Sequence, residues 1–149
     1  MKLLAGALLF LLSALVGEGK ARRLVRRERT LMKLHELIQK IGDQQLTGLV
    51  SFREGALRCP PSMERDQLLS LAQGKEAELS LLTAEERSAL VAYARSETRS
   101  VGELRSQRDA LLILLRREQD RTREELSQKG QVYRSVGYLF GVAVLLLVL

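Results

Sequence analysis

His35, Cys59 and the acidic pair Glu85 and Glu86 are the residues of this 149-residue chain whose types could carry chemistry. A general base, a thiolate nucleophile and a carboxylate pair each need a neighbour that holds the reactive form in place. None has one at a recognisable spacing. His35 falls one position off an apolar stripe that includes Leu34 and Ile38, the place of a solvated helix residue. Cys59 precedes Pro60 and Pro61 and reads as an unreactive loop thiol. Glu85 and Glu86 belong to a first helical turn, where the helix dipole favours acids without any proton-transfer task. The chain carries no glycine loop with lysine for phosphates, no HExxH and no GxSxG. One cysteine and one histidine supply neither an intrachain disulfide nor the usual nitrogen and sulfur metal site. No catalytic residue, metal or cofactor is therefore expected, and the protein is expected not to be an enzyme.

The elements around these residues are helical. Leu, Ala, Glu, Arg and Gln dominate, tryptophan is absent, and only three tyrosines and three phenylalanines occur, so the strand-forming types are scarce. An all-α fold follows. From Arg22, the residues Leu24, Leu31, Leu34, Ile38 and Ile41 keep three-and-four spacing along a helix reaching about Leu46. A second apolar segment spans Val50 to Leu57, with Phe52, Ala56 and Leu57, before Pro60 and Pro61 stop regular structure. Ser62 can cap a helix bearing Leu68, Leu69, Leu71 and Ala72, closed by Gly74. Thr83 with Glu86 makes a capping box for a helix that turns Leu90, Val91 and Tyr93 inward, and Ser100 with Glu103 repeats the device. The last and longest element runs toward Lys129, with Leu104, Leu111, Leu112, Leu115 and Leu126 inward. The pattern predicts an antiparallel bundle of four or five helices. Five consecutive apolar residues from Leu111 to Leu115 exceed what one seam buries, which makes Leu111, Leu112 and Leu115 a candidate partner face as well as core.

Hydrophobicity and charge are unevenly placed. Leu3–Val16 and Val136–Leu149 are apolar runs at the two ends, and as helices Met1–Gly19 and Val132–Leu149 reach about 28 and 27 Å against a hydrocarbon core of about 30 Å. The formal charge of +6 is concentrated beside the first run, where Lys20, Arg22, Arg23, Arg26, Arg27, Arg29 and Lys33 face only Glu18 and Glu28. Residues 34–129 hold 15 basic and 16 acidic side chains, with few aromatics among them, so no nucleic-acid partner is expected. The positive-inside rule places the basic cluster, and the basic flank of the second run, on the cytoplasmic side. The expected organisation is a transmembrane anchor over 1–19, a cytoplasmic helical domain over 20–130 and a transmembrane helix over 131–149. The lipid bilayer is thus an expected partner, and Tyr133 and Tyr138 suit its interface. Ser13 with Gly17 and Gly137 with Gly141 show the four-residue spacing of small residues that lets membrane helices approach, within a hairpin or in a homo-oligomer. A cleaved leader at the amino terminus and a peripheral association of the two short runs stay open as alternatives.

The stretch from Leu82 through Lys129-Gly-Gln-Val-Tyr-Arg-Ser-Val-Gly-Tyr-Leu-Phe-Gly141 resembles the carboxy-terminal half of the stage III sporulation protein AB family. In that family a lysine-rich helix end leads into a tyrosine, an arginine, a serine or threonine, an apolar residue and a glycine that opens the last span, as Tyr133, Arg134, Ser135, Val136 and Gly137 do here. The chain departs from the family pattern over Asp43–Gly48, near Phe52, which lacks a preceding proline, and at Val101 and Leu104. The resemblance implies a multi-pass membrane component of the channel between mother cell and forespore. It further implies a helical domain similar to the type II secretion F protein, acting with other channel proteins; the leucine-rich face is then expected to dock a cytoplasmic ATPase or a ring-forming partner. A membrane-anchored adaptor or regulator of another envelope or division complex is the alternative.

Overall fold

Four helices begin where a hydroxyl side chain takes up the free amides of the first turn. Ser51 Oγ accepts the Glu54 amide while the Glu54 carboxylate accepts the Ser51 amide at 3.0 Å, and Thr83 and Glu86 form the same reciprocal pair. Ser62 Oγ accepts from Arg65 N–H at 3.1 Å, and Ser100 Oγ accepts from Glu103 N–H at 3.2 Å. The computed structural model describes residues 2–75, 79–96 and 100–148, leaving aside the side chains of 1–7, 9–10, 13–14, 134, 137, 144–145 and 147–149. Its helices are α1 (Lys2–Gly48), α2 (Phe52–Leu57), α3 (Met63–Ala72), α4 (Ala84–Arg95) and α5 (Val101–Val148), with no strand among the described residues. The all-α expectation is met.

Neither long helix breaks where its sequence changes from apolar to charged. Both prolines lie between α2 and α3, and an isolated glycine costs a helix only about 1 kcal/mol relative to alanine. α1 stops after Gly48, and the following residue, Leu49, takes the left-handed conformation at φ 49°. Beyond α3, Gly74 adopts φ 79°, a conformation that glycine enters without a Cβ penalty.

The chain divides into two compact units, Arg29–Asp120 and the pair Met1–Glu28 with Arg121–Leu149. The limits expected at 19 and 131 mark the ends of the apolar runs, whereas packing divides the chain within the charged stretches beyond them. In the first unit Leu31, Leu34, Ile38 and Ile41 of α1 are fully buried, as the stripe predicts. Phe52 and Ala56 of α2, Leu68 and Leu71 of α3, Leu90 and Tyr93 of α4, and Leu104, Leu111 and Leu115 of α5 join them in one cluster. A fully buried leucine contributes about 1.5–3 kcal/mol. Leu57 departs from the expected core and stays mostly exposed.

Among the described residues no helix is long and apolar enough to cross a membrane. The spans expected over 1–19 and 131–149 are therefore not supplied by those residues alone.

Candidate membrane anchor and docking surface

Among the described side chains of the unit formed by 1–28 and 121–149, several small residues are buried and no large apolar one is, although Gly19 and Ala143 are exposed. Gly17, Ala21, Gly130 and Gly141 are buried. Leu8, Leu11, Leu15 and Val16 on α1 are each at least 60% exposed, and Val136, Tyr138, Leu139, Phe140 and Leu146 on α5 are each more than half exposed. A water-soluble helix pair does the reverse, since large apolar side chains provide its burial energy. Among the described residues, the buried positions of this unit are thus occupied by small side chains, with Leu24, Val25, Leu126 and Tyr133 half-buried beside them.

Two contacts fix the direction of the arms. Lys20 Nζ lies 5.6 Å from the centre of the Tyr133 ring, a cation–π contact, and Arg27 Nε donates to Thr122 Oγ1 at 3.2 Å. Residue numbers rise on one arm as they fall on the other, so the arms are antiparallel. Ser13, Arg134 and Gly137, three of the residues singled out in the sequence, have side chains outside the described set. Tyr133 is half-buried and Ser135 is exposed. One further small residue is buried on each arm. Ala21 continues the spacing of Ser13 and Gly17, and Gly130 lies seven residues before Gly137.

Lys20, Arg22, Arg23, Arg26, Arg29 and Lys33 are exposed on α1, and Arg27 is half-buried. Arg22 Nε donates to Glu18 at 3.2 Å, and Lys33 Nζ lies 3.4 Å from Glu64. Charge follows the division into units. Residues 1–28 and 121–149 carry 10 basic and 4 acidic side chains, a balance of +6, whereas residues 29–120 carry 14 of each. The whole formal charge thus belongs to the unit that exposes the apolar arms.

Within Arg29–Asp120 the candidate partner face is corrected. Leu115 is fully buried and Leu111 is 4% exposed, both in the core, while Leu112 packs partly against it. Helical rotation explains the split: positions 111 and 115 share the inward stripe, and Ile113 points away with 69% of its surface exposed. An apolar groove of about 320 Å³ lies between α4 and α5, lined by Ala89, Ala92 and Tyr93 on one side and Gln107, Ala110, Leu111 and Leu114 on the other. Its alanines keep the walls low, a signal present in the sequence as Ala89 and Ala92 one helical turn apart.

The titratable residues have structural surroundings. Cys59 is buried, its thiol donates to Gly55 O at 3.5 Å, and burial pushes its pKa up against the pull of Lys40 and Arg65. Such a thiol is a poor nucleophile. Tyr93 Oη–H donates to Gln45 Oε1 at 3.0 Å, and its ring meets Phe52 edge-on at 5.7 Å. Glu86 is fully buried while Glu85 is exposed, and the Glu86 carboxylate accepts the Thr83 amide at 2.7 Å. His35 is half-buried. Among the described residues no three His, Cys, Asp or Glu side chains are grouped so that they could hold a metal ion.

No protein-family model, curated protein or solved structure matches this chain.

Proposed function

We propose that the chain is a non-enzymatic membrane-anchored platform. Its two apolar arms form a hairpin in the bilayer, and the helical bundle is held at the cytoplasmic surface as a docking body for other proteins. The observation that carries this is the hairpin's packing: small residues buried at Gly17, Ala21, Gly130 and Gly141, Leu8, Leu11, Leu15, Val16, Leu139 and Phe140 exposed, and the entire net charge on the same unit. Exposed leucine and phenylalanine on that scale would be an aggregation liability in water.

The finer assignment is to the channel between mother cell and forespore, as a subunit similar to the type II secretion F protein that works with other channel proteins and a cytoplasmic ATPase. It rests on the likeness of Lys129–Gly141 to the stage III sporulation protein AB family. An adaptor of another envelope or division complex would use the same topology with a different partner, and the functions of neighbouring genes separate the two.

Cysteine accessibility in intact cells tests the topology. Buried Cys59 is a quiet background rather than a probe, so a cysteine replaces Met63, which is 68% exposed. Others are placed beside Met1 and after Leu149. A membrane-impermeant reagent should label both ends in intact cells and reach position 63 only after lysis. Labelling of position 63 in intact cells would put the body outside and sink the proposal.

A further inference from the structure

We infer that the basic flank of the hairpin, Arg22, Arg23 and Arg26 of α1 with Lys129 of α5, is a binding surface for the headgroups of anionic phospholipids. The inference deepens the membrane-anchor proposal and depends on it. Its first support is the charge division: the unit that exposes leucines also carries all +6 of the formal charge, and the bundle unit is neutral.

Its second support is depth. Around Lys20 and Tyr133 the exposed residues pass from Leu15 and Val16 to Arg22 and Arg23 on α1, and from Val136 through Val132 to Lys129 on α5, and a lysine stacked on a tyrosine ring is suited to the edge of the hydrocarbon. At 1.5 Å per residue, Arg22, Arg23 and Arg26 stand about 3, 5 and 9 Å beyond Lys20, and Lys129 about 6 Å beyond Tyr133. The headgroup layer occupies about 5–8 Å on each side of the core. Arg22, Arg23 and Lys129 therefore stand within the headgroup layer, and Arg26 at its outer edge. All four are exposed. Arg22 keeps 70% of its side chain exposed while bonded to Glu18, and Lys129 lies 3.5 Å from Glu125. Exposed pairs of that kind are weak and leave the cations free to exchange partners. Guanidinium groups match phosphate oxygens two at a time, and a layer of negative headgroups complements a positive belt better than zwitterionic ones can.

The absence of tryptophan from the chain permits a direct test. Ser135, exposed and two residues on the apolar side of Tyr133, is replaced by tryptophan in the full chain, which is reconstituted into phosphatidylcholine vesicles containing a minority of phosphatidylglycerol. Bromine, which quenches tryptophan on contact, is carried on one lipid or on the other. Brominated phosphatidylglycerol should quench more than its bulk fraction predicts, by about a fivefold local enrichment, the worth of about one basic residue at such a surface. Raising salt from about 0.1 M to about 1 M shortens the screening length from about 10 Å to about 3 Å and should erase most of the excess. The variant Arg22→Gln/Arg23→Gln/Arg26→Gln/Lys129→Gln should remove most of the excess. Equal quenching by the two lipids in the unsubstituted belt, or an excess undiminished by the fourfold substitution, overturns the headgroup assignment and leaves the hairpin standing. Quenching by neither lipid overturns the hairpin and the headgroup site together.

Discussion

Replacing Tyr93 by phenylalanine removes a single oxygen atom, and the surroundings of that atom set how the loss should vary with pH. The ring keeps its edge-on contact with Phe52, so packing is conserved. What changes is Gln45, whose side-chain oxygen accepts the tyrosine hydroxyl at 3.0 Å inside a region where both residues are 5% exposed or less. A buried acceptor left without its donor costs about 1–3 kcal/mol, which is the loss expected at pH 8. The hydroxyl also titrates. Its pKa is pushed up to about 12, chiefly by burial, with Arg108 pulling it down and Asp43 and Asp109 adding to the rise. In the unfolded chain a tyrosine loses its proton near pH 10, about two pH units sooner. Between these values the unfolded state binds fewer protons than the folded one, so native stability falls as pH rises. At pH 12 the loss amounts to about 2 kcal/mol. Phenylalanine has no such proton. The stability gap between the two proteins should therefore be constant up to about pH 9 and close toward zero by about pH 12. Urea unfolding of the full chain in detergent, followed by far-ultraviolet circular dichroism, measures the gap, and lysines and arginines common to both proteins cancel in the difference. A gap that stays constant to pH 12, or is absent at pH 8, would refute the buried hydrogen bond and its environment.

Three further outcomes are expected. Leu115→Ala should cost about 2–5 kcal/mol because the residue is fully buried, whereas Ile113→Asp, two positions away and largely exposed, should stay within about 0.5 kcal/mol; chemical denaturation of the two variants separates core from surface on α5. Leu49→Gly should stabilise the protein by about 1 kcal/mol, since an 80% exposed leucine at φ 49° loses left-handed strain and little packing; an unchanged or lowered urea midpoint would count against that conformation. Ala21→Leu inserts three carbons where the side chain is 1% exposed between the arms and should cost about 1–3 kcal/mol. At about 2–4 °C per kcal/mol in a chain of this size, a thermal midpoint in detergent resolves that effect.

Local rules made the helices legible. Ser62, Thr83 and Gly74 perform the capping and terminating roles that their positions predict, because caps depend on a few neighbouring residues. The stripe Leu31, Leu34, Ile38 and Ile41 was equally plain, as a helix buries residues of one period. Ser51 with Glu54 is a capping box of the same type, but a six-residue α2 so soon after Gly48 carries too little periodicity to mark a helix start. The docking surface was harder. The run Leu111–Leu115 is uniformly apolar, so periodicity cannot tell inward from outward positions, and the choice of Leu111 and Leu115 over Ile113 was settled by what α5 packs against. The arm contact was half legible: spacing of small residues marks a close approach on each helix, but not which helix approaches. Lys20 and Tyr133 are 113 positions apart, and no local signal joins them.

That separation governs the order of events during synthesis. Arg27 and Thr122, a pair in the hairpin, are 95 positions apart in the chain. At about 5–20 residues per second, the first arm exists for about 5–20 s before the ribosome has made its mate. Throughout that interval the groove formed by Gly17 and Ala21 has no cognate helix. The nascent arm must either wait with its small-residue face open or lodge transiently against another helix, and the hairpin forms only once the second arm has emerged.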